Sequence, residues 1–406
     1  MPTDQKFKTK RTGTNHLNVD SQGLLPHGMA PFTIEPLDGH KFLHEINKEG
    51  RPRVYLVVTI DTEEDQWGPG SGNVTVNNMA SIPRLQSLFD GYGILPTYLV
   101  SLPVAANDEA MKTLNGILDD GRCEIGSHLH PWNTPPIREE ITNTSTMLSN
   151  LPYELQVEKL AHLTDFLEHR TGQRPRSFRA GRWGLNNETF SALIEYGYAV
   201  DSSVTPFVSW KAYRGPAFDE MPFVPFLMRE ARKDAGNNGY GSLVEVPATI
   251  GYNRWPFRRC RQLEKKLHRL PSRFHAKGLA AKSYILRKIW LSPEIDSATN
   301  MIALSRLLIK HGIRVLNVTF HSSSLMPGLT PFVTSGNALE KFYKRLTDYF
   351  DGLYRLAEVK PMVLSAMAGF IRERLGADPA EDKLMKTSCD HDHSVGGGQR
   401  KRVVVY

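Results

Sequence analysis

The stretch VYLVVTIDTEED, residues 54–65, decides the fold class of this 406-residue chain. Val54 to Ile60 form a continuous run of apolar and β-branched residues, the pattern of a strand that is covered on both faces. Asp61, Glu63 and Glu64 follow directly, so polar groups begin where the strand ends. A strand of this kind is typical of α/β proteins with a mainly parallel sheet.

Outward from this strand, short β-branched runs alternate with helical stretches, which predicts a series of βα units. A helix is predicted where apolar residues recur from Val157 to Leu167, because Gly172 can end it in a left-handed conformation. A second helix is predicted from Thr299 to His311, again before a glycine. Further strands are predicted at 94–100, 123–126, 177–179, 199–200, 243–246 and 314–320.

Chemically capable side chains lie just past several predicted strands. His128 and His130 follow one strand, and Arg179, Asp201 and His321 end or follow three others. In folds built from βα units, the loops at the carboxyl ends of the strands meet at one face, where active sites are assembled. The sequence therefore predicts a single site at that face.

Part of this set has the composition of a metal site. Asp61, Glu63, His128 and His130 supply carboxylates and imidazoles, which suit Zn²⁺ or another late first-row divalent ion. Alternate residues of an extended chain point to one side, so both histidines can face one ion only if their segment is strand-like. Each residue taken alone has another interpretation, as an ordinary hydrogen-bonded or solvated side chain.

Five short motifs in order resemble the polysaccharide deacetylases with a NodB homology domain, carbohydrate esterase family 4 in the broad sense. They are TIDTEED (59–65), EIGSHLHPW (124–132), FRAGRWG (178–184), DSSV (201–204) and VTFHSSSLMPG (318–328). The resemblance covers about residues 50–370 and is strongest to the WalW-type branch, found with bacterial surface-polysaccharide genes. It implies a deformed, incomplete (β/α) barrel of the glycoside hydrolase/deacetylase type, with a divalent metal ion, preferably Zn²⁺, at its C-terminal face.

The resemblance implies roles for the metal ligands. Glu63 matches the acidic ligand and His128 the first histidine ligand, while Glu64 remains open as the alternative carboxylate. The family commonly has its second histidine four residues after the first, where this chain has Trp132. His130, two residues after the first histidine, is the expected substitute.

The resemblance also implies the catalytic roles. Asp61 matches the base, Arg179 the arginine that pairs with it, and His321 the general acid. Asp201 matches the aspartate that orients this histidine. The aromatic residue common in the fourth motif is absent, since Val204 stands there.

The implied function is metal-dependent hydrolysis of a carbon–nitrogen (non-peptide) bond: removal of an N-acetyl group, or less readily an O-acetyl group, from a surface polysaccharide or its precursor. Two alternatives stay open: a non-catalytic member of the fold that binds a glycan or a partner, and an amidase acting on a small amide. Trp132 and Trp183, and also Trp210, lie next to these motifs and are interpreted either as sugar-contacting walls or as core residues.

The formal charge of +7 is concentrated in one segment. Residues 255–290 hold 11 lysines and arginines against one acid, Glu264, which leaves 39 basic and 42 acidic residues, a net charge of −3, elsewhere. This distribution argues against nucleic acid as a partner. It suits peripheral contact with the inner membrane, or with a lipid-linked or anionic glycan, although a solvated basic face packed by its leucines is the alternative.

The predicted organisation is a mobile tail at 1–35, a barrel domain at 36–377 with a basic insertion at about 207–295, and a second mobile tail at 378–406. The longest apolar stretches fall short of the roughly 20 residues needed to span a bilayer. Cys123, Cys260 and Cys389 are too few and too distant for a disulfide framework, so reduced thiols are expected. We expect a cytoplasmic protein.

Overall fold

The computed structural model describes residues 32–39, 45–65, 68–69, 74–231, 240–269 and 286–377. Within these ranges the strands are β1 (Phe32–Pro36), β2 (Arg53–Thr62), β3 (Thr97–Val100), β4 (Glu124–Leu129), β5 (Ser177–Ala180), β6 (Val200–Asp201), β7 (Phe226–Ala231), β8 (Tyr240–Glu245), β9 (Ile250–Tyr252), β10 (Lys288–Trp290), β11 (Val315–His321) and β12 (Glu358–Pro361). The helices are α1 (Ile82–Tyr92), α2 (Leu102–Ala105), α3 (Asp108–Asp119), α4 (Tyr153–Thr171), α5 (Asn187–Glu195), α6 (Phe257–Arg269), α7 (Ala298–Lys310), α8 (Gly336–Leu356) and α9 (Leu364–Leu375).

The main sheet has the order β1-β7-β8-β6-β5-β4-β3-β2-β11, with β12 pairing the start of β2. Every pairing from β8 to β11 is parallel, while β7 and β1 add antiparallel strands at one edge. The strand β2 predicted from residues 54–60 lies between β3 and β11, and its residues 54–62 are all buried. The α/β prediction is confirmed.

The sheet curls into an incomplete barrel. Between β11 and the segment after β8, the Thr249 amide donates to the Asn317 carbonyl at 3.3 Å, and the Asn317 amide donates to Thr249 Oγ1 at 2.8 Å. Leu291 extends this bridge through hydrogen bonds with Thr249 and Thr319. These irregular contacts, rather than a paired strand, join the two sides, as the deformed-barrel prediction requires.

The strands divide their side chains between an interior and an outer layer. On β2, Tyr55 and Val57 belong to an inner apolar cluster, whereas Val54 and Leu56 belong to the outer cluster under the helices. Helix α9 packs against β2, β6, β7 and β8 and fills the N-terminal end of the interior. The C-terminal end is therefore the face left for a site.

The two helices expected from their apolar stripes are present. Helix α4 spans Tyr153–Thr171 and is followed by Gly172 at φ 69°, and α7 spans Ala298–Lys310 before Gly312 at φ 81°. These positive φ values explain why glycine stands at both helix ends.

Strands of the main sheet lie within the predicted first tail and within the predicted basic insertion. Strand β1 starts at Phe32, inside the segment predicted as the first tail, and pairs with β7. Residues 207–295 include β7 and β8 of the main sheet as well as the β9–β10 ribbon and α6. The two tails lie outside the described residues, apart from β1.

Cys123 and Cys260 are buried free thiols, and Cys389 lies outside the described residues. Among the helices of the described ranges, none combines the length and apolar character needed to cross a bilayer.

Candidate metal centre and catalytic site

Strand register brings the predicted residues together at the C-terminal end of the barrel. His321 of β11 lies directly beside Asp61 of β2, and His128 of β4 lies beside Arg179 of β5. All four residues are on the interior side of the sheet, because they alternate with residues of the outer layer. The parallel sheet thus gathers side chains that are far apart in sequence.

Glu63, His128 and His130 form one compact, buried donor set. Glu63 Oε2 lies 3.6 Å from His128 Nε2 and 3.3 Å from His130 Nε2, and the three ligand atoms all lie within 4.8 Å of one another. His128 is on β4, which ends at Leu129, so the chain remains extended long enough for both rings to point to the same side. The two-residue spacing of the histidines is therefore compatible with one shared ion.

Each histidine is oriented through its other ring nitrogen. His128 Nδ1 donates to the Arg179 carbonyl oxygen at 3.0 Å, and His130 Nδ1 donates to Glu64 Oε1 at 2.9 Å. The Glu64 carboxylate also accepts hydrogen bonds from Ser101 and Asn133. The structure thus separates the two candidate glutamates: Glu63 faces the Nε2 atoms, and Glu64 positions His130 from behind.

The residues present fit a divalent metal ion. Two imidazoles and one carboxylate form a common donor set of catalytic zinc sites, and an oriented Nδ1 is typical of metal-binding histidines. Burial opposes ionisation of Glu63, but His128 and His130 hold its pKa far below the usual range. Burial also opposes protonation of His130, yet Glu64 and Glu63 raise its pKa to about 10. The two glutamates therefore make the electrostatic potential at His130 negative, which favours binding of a cation.

Asp61 is held by a buried arginine. Arg179 Nη1 donates to Asp61 Oδ1 at 2.5 Å, and the remaining guanidinium nitrogens donate to Thr59 and Ser202 at 2.7 to 2.8 Å. Burial raises the pKa of Asp61, but Arg179, followed by His128 and His321, outweighs it and lowers the pKa below its ordinary value. Asp61 is thus ionised and fixed.

His321 is oriented by Glu294, which the sequence reasoning missed. His321 Nδ1 donates to Glu294 Oε2 at 3.0 Å, while His321 Nε2 lies 3.7 Å from Asp61 Oδ2. Burial lowers the pKa of His321, but Glu294, Glu63 and Asp61 raise it to about 10. The imidazole is therefore a cation at neutral pH. Glu294 lies three residues after Leu291, in an irregular segment outside the five motifs, so no local sequence pattern identified it.

Asp201 does not contact His321 as the resemblance implied. Val200, the residue before it, belongs to the inner cluster, so Asp201 points to the outer layer. There Asp201 accepts hydrogen bonds from Ser203, whose hydroxyl lies at 2.6 Å, and it pairs in register with Glu245. Burial raises the pKa of both carboxyls, consistent with one shared proton. Asp201 thus stabilises the barrel wall.

An aromatic cavity of about 520 Å³ opens above these residues. Among the described residues, four tryptophans line it, together with Tyr213 and Phe332: Trp132, Trp183, Trp210 and Trp290. Trp132 stacks on His130 with ring centroids 4.2 Å apart, so it also supports a metal-facing ring. The predicted wall residues Trp132 and Trp183 therefore both lie at the site, and Trp290 is a further member that the motifs did not indicate.

The turn after β5 is shaped by close approach to the donor set. A Cβ atom at Gly181 would lie 2.2 Å from His130 Cδ2 and 2.8 Å from the Leu129 carbonyl oxygen, so only glycine fits there. Arg182 and Trp183 follow with φ values of 54° and 60°, in the left-handed region that non-glycine residues rarely adopt. Strain of this kind accumulates at functional sites.

Comparison with known proteins places few constraints on function. No family model matches the chain, and no curated protein matches it. Among solved structures it is similar to a Mycobacterium smegmatis protein assigned as a polysaccharide deacetylase, with 17% identity, coverage of 84% of this chain and 94% of that one, and a TM-score of 0.45.

It is also similar to the Xyl-CE4 domain of a multidomain xylanase from the hindgut metagenome of Trinervitermes trinervoides, with 12% identity, coverage of 80% and 93%, and a TM-score of 0.36. The PuuE allantoinase structure matches with 12% identity, coverage of 79% and 90%, and a TM-score of 0.46. Because these similarities are low, we base the function on the geometry of the site itself.

Proposed function

We propose that the protein is a metal-dependent hydrolase that removes N-acetyl groups from a carbohydrate of a surface polysaccharide or its precursor. One observation carries the proposal: a buried donor set of Glu63, His128 and His130 shares a cavity with Asp61, which is paired with Arg179, and His321, which is held by Glu294. These are a metal site, a general base and a general acid, the groups that amide hydrolysis needs.

Glu63, His128 and His130 would hold the ion. A divalent ion bound there would polarise the acetyl carbonyl group and lower the pKa of water from 15.7 to about 7. We assign the ion as Zn²⁺ from the nitrogen-rich donor set.

The residues of the chain then move the protons. Asp61 accepts the proton of the attacking water, and Arg179 keeps its carboxylate ionised and aimed into the cavity. His321, held at Nδ1 by Glu294, presents its protonated Nε2 to the leaving group. An amine leaves readily only after protonation, so a general acid of raised pKa suits N-acetyl better than O-acetyl groups.

The test is acetate release from chitotetraose, a tetramer of N-acetylglucosamine, by the zinc-loaded protein. We expect release that stops on chelation and in His128→Ala. His169→Ala provides a matched control, because His169 is exposed on the outer helix α4 and its loss should leave the rate unchanged. Release that survives both chelation and His128→Ala would contradict the proposal.

We also propose that α6 brings the enzyme to the anionic inner membrane surface from the cytoplasm. The alternative, that its leucines pack it onto the barrel, does not account for Leu263, which is 43% exposed, whereas Phe257 and Cys260 are buried. The exposed side chains Arg258, Arg259 and Lys266 surround this leucine on the helix. Cationic and apolar groups on one face suit an anionic lipid surface.

Sedimentation with vesicles containing phosphatidylglycerol tests this contact. The variant Arg258→Gln/Arg259→Gln/Lys266→Gln should sediment less than the wild type, and the difference should shrink at high salt. Equal sedimentation of the two proteins would rule the contact out.

A further inference from the structure

Arg182 is a cavity residue that the proposed chemistry does not use. It lies in the turn after β5, and the left-handed backbone of Arg182 and Trp183 sets the path of the chain along the cavity wall. Of the described residues that line the cavity, Arg182 is the only lysine or arginine. A strained backbone that carries a cation into a cavity calls for a ligand-binding explanation.

The partners of Arg182 are neutral. Its guanidinium donates to Thr146 Oγ1 and lies 5.8 Å from the centre of the Tyr213 ring. Among the described residues, no carboxylate forms an ion pair with it. Burial lowers the pKa of Arg182, with Tyr213 opposing.

The acids of the cavity already have positive or imidazole partners. Asp61 is paired with Arg179 at 2.5 Å, Glu63 faces His130 at 3.3 Å, and Glu294 holds His321 at 3.0 Å. The Arg182 charge is therefore not required to neutralise the catalytic carboxylates, and it remains available to a bound molecule.

We infer that Arg182 binds a carboxylate of the substrate, so that the enzyme acts on an acidic saccharide in which a uronic acid adjoins the acetylated sugar. This inference rests on the proposed function. A planar guanidinium can bind a carboxylate through two parallel hydrogen bonds, and it does so more strongly where water is partly excluded. Trp183, Trp210 and Tyr213 line the same cavity and offer ring faces to the neighbouring sugar.

Binding of two matched tetrasaccharides tests this inference without turnover. A hyaluronan tetrasaccharide alternates glucuronate with N-acetylglucosamine, whereas chitotetraose carries N-acetylglucosamine alone and is neutral. Quenching of tryptophan fluorescence reports binding of each, because four tryptophans line the cavity. We expect the wild type to bind the hyaluronan tetrasaccharide about 10- to 100-fold more tightly, as for one charge-assisted contact.

The variant Arg182→Gln should lose this preference while its affinity for chitotetraose and its circular dichroism spectrum remain unchanged. Arg182→Lys keeps the charge but lacks the paired donors of a guanidinium, so it should retain part of the preference. Arg84→Gln, on the distant helix α1, is the control and should retain all of the preference. Three results would overturn the inference: no binding of the hyaluronan tetrasaccharide at millimolar concentration, equal binding of the two saccharides, or a preference that survives in Arg182→Gln. If the wild type shows the binding preference but releases no acetate from either saccharide, the deacetylase proposal alone would be refuted.

Discussion

The two ends of the barrel interior are built from the same strands but differ in chemistry. At the N-terminal end, Val57 of β2 and Val315 of β11 belong to one buried apolar cluster with Ile371 of α9. At the C-terminal end, the same faces of the same strands carry Asp61 and His321, which interact with arginine and glutamate. The change from apolar to ionised residues takes only a few residues along each strand.

A polar layer separates the two ends. Thr59 donates to Asn317 Oδ1 at 3.1 Å, and Arg179 and Asn317 both donate to Ser202. Below this layer, burial of apolar surface stabilises the fold, whereas above it buried charges are retained for chemistry at a cost in stability. Substitutions at the two ends should therefore affect different measurements.

The largest effect on activity is expected from His321→Gln at the upper end. Loss of the general acid should reduce acetate release from chitotetraose about 10²- to 10⁴-fold. Glu294 keeps hydrogen bonds from the backbone of residue 321 and from Ser324, so the free energy of unfolding should change by only about 1 kcal/mol. Steady-state kinetics and urea denaturation measure the two quantities.

An activated ester provides the control for this variant. The leaving group of 4-nitrophenyl acetate needs no proton, so His321→Gln should hydrolyse this ester with a much smaller loss. An equal loss on both substrates would mean that His321 is not the acid.

At the lower end, Ile371→Ala should have the opposite profile. Removal of this fully buried side chain should lower the free energy of unfolding by about 2–5 kcal/mol, because it leaves a cavity between α9 and the sheet. The acetate release of the folded fraction should remain at the wild-type level. Glu373→Ala, an exposed change on the same helix, should shift stability by only about 0.5 kcal/mol. A loss of specific activity in Ile371→Ala would contradict the view that the N-terminal end serves stability and the C-terminal end serves activity.

Glu64→Gln tests the support of the metal centre. The neutral amide should weaken orientation of His130 and reduce Zn²⁺ affinity about 10- to 100-fold, as measured by competition with a chromophoric chelator. Glu63→Gln, which removes a ligand, should reduce the affinity further. An affinity ranking in the reverse order would show that Glu64 is the ligand instead.

Glu294→Gln should give a smaller loss of rate than His321→Gln and a distinct pH profile. Glu294 raises the pKa of His321, so the wild type should lose activity only as the pH rises toward about 10, where the acid deprotonates. Without the Glu294 carboxylate, the alkaline limb of the pH–rate profile should move to lower pH. At pH values below this limb, the rate of Glu294→Gln should fall by less than the hundredfold or more expected for His321→Gln.

Asp201→Asn is the matched variant for this pH profile. Because Asp201 faces the outer layer, its substitution should leave the alkaline limb unchanged. A shift in Asp201→Asn, with none in Glu294→Gln, would restore the role that the resemblance implied.

The sequence predicts the central strands and the helices α4 and α7 well because their patterns are local. Residues 54–60 are apolar or β-branched because β2 is covered on both sides, and Gly172 ends α4 as its position predicts. The edge strands β1 and β7 escaped prediction because their pairing depends on tertiary contacts. Strand β12 did so as well, since only four residues pair with β2.

The candidate site was predictable where the sheet alone positions the side chain. The strand ends bring Asp61, His128, Arg179 and His321 together, and in the structure these four residues lie at one end of neighbouring strands. Glu294 was not predictable, because it reaches His321 from an irregular segment about 27 residues earlier. For Asp201 the structure differs from the prediction because strand alternation turns its side chain outward.

The metal content of the purified protein tests the central claim most directly. Inductively coupled plasma mass spectrometry of the zinc-loaded, dialysed wild type should find one Zn²⁺ per chain, and His128→Ala should retain almost none. His169→Ala should match the wild type. A wild type without bound metal, or an unchanged stoichiometry in His128→Ala, would contradict a metal centre at Glu63, His128 and His130.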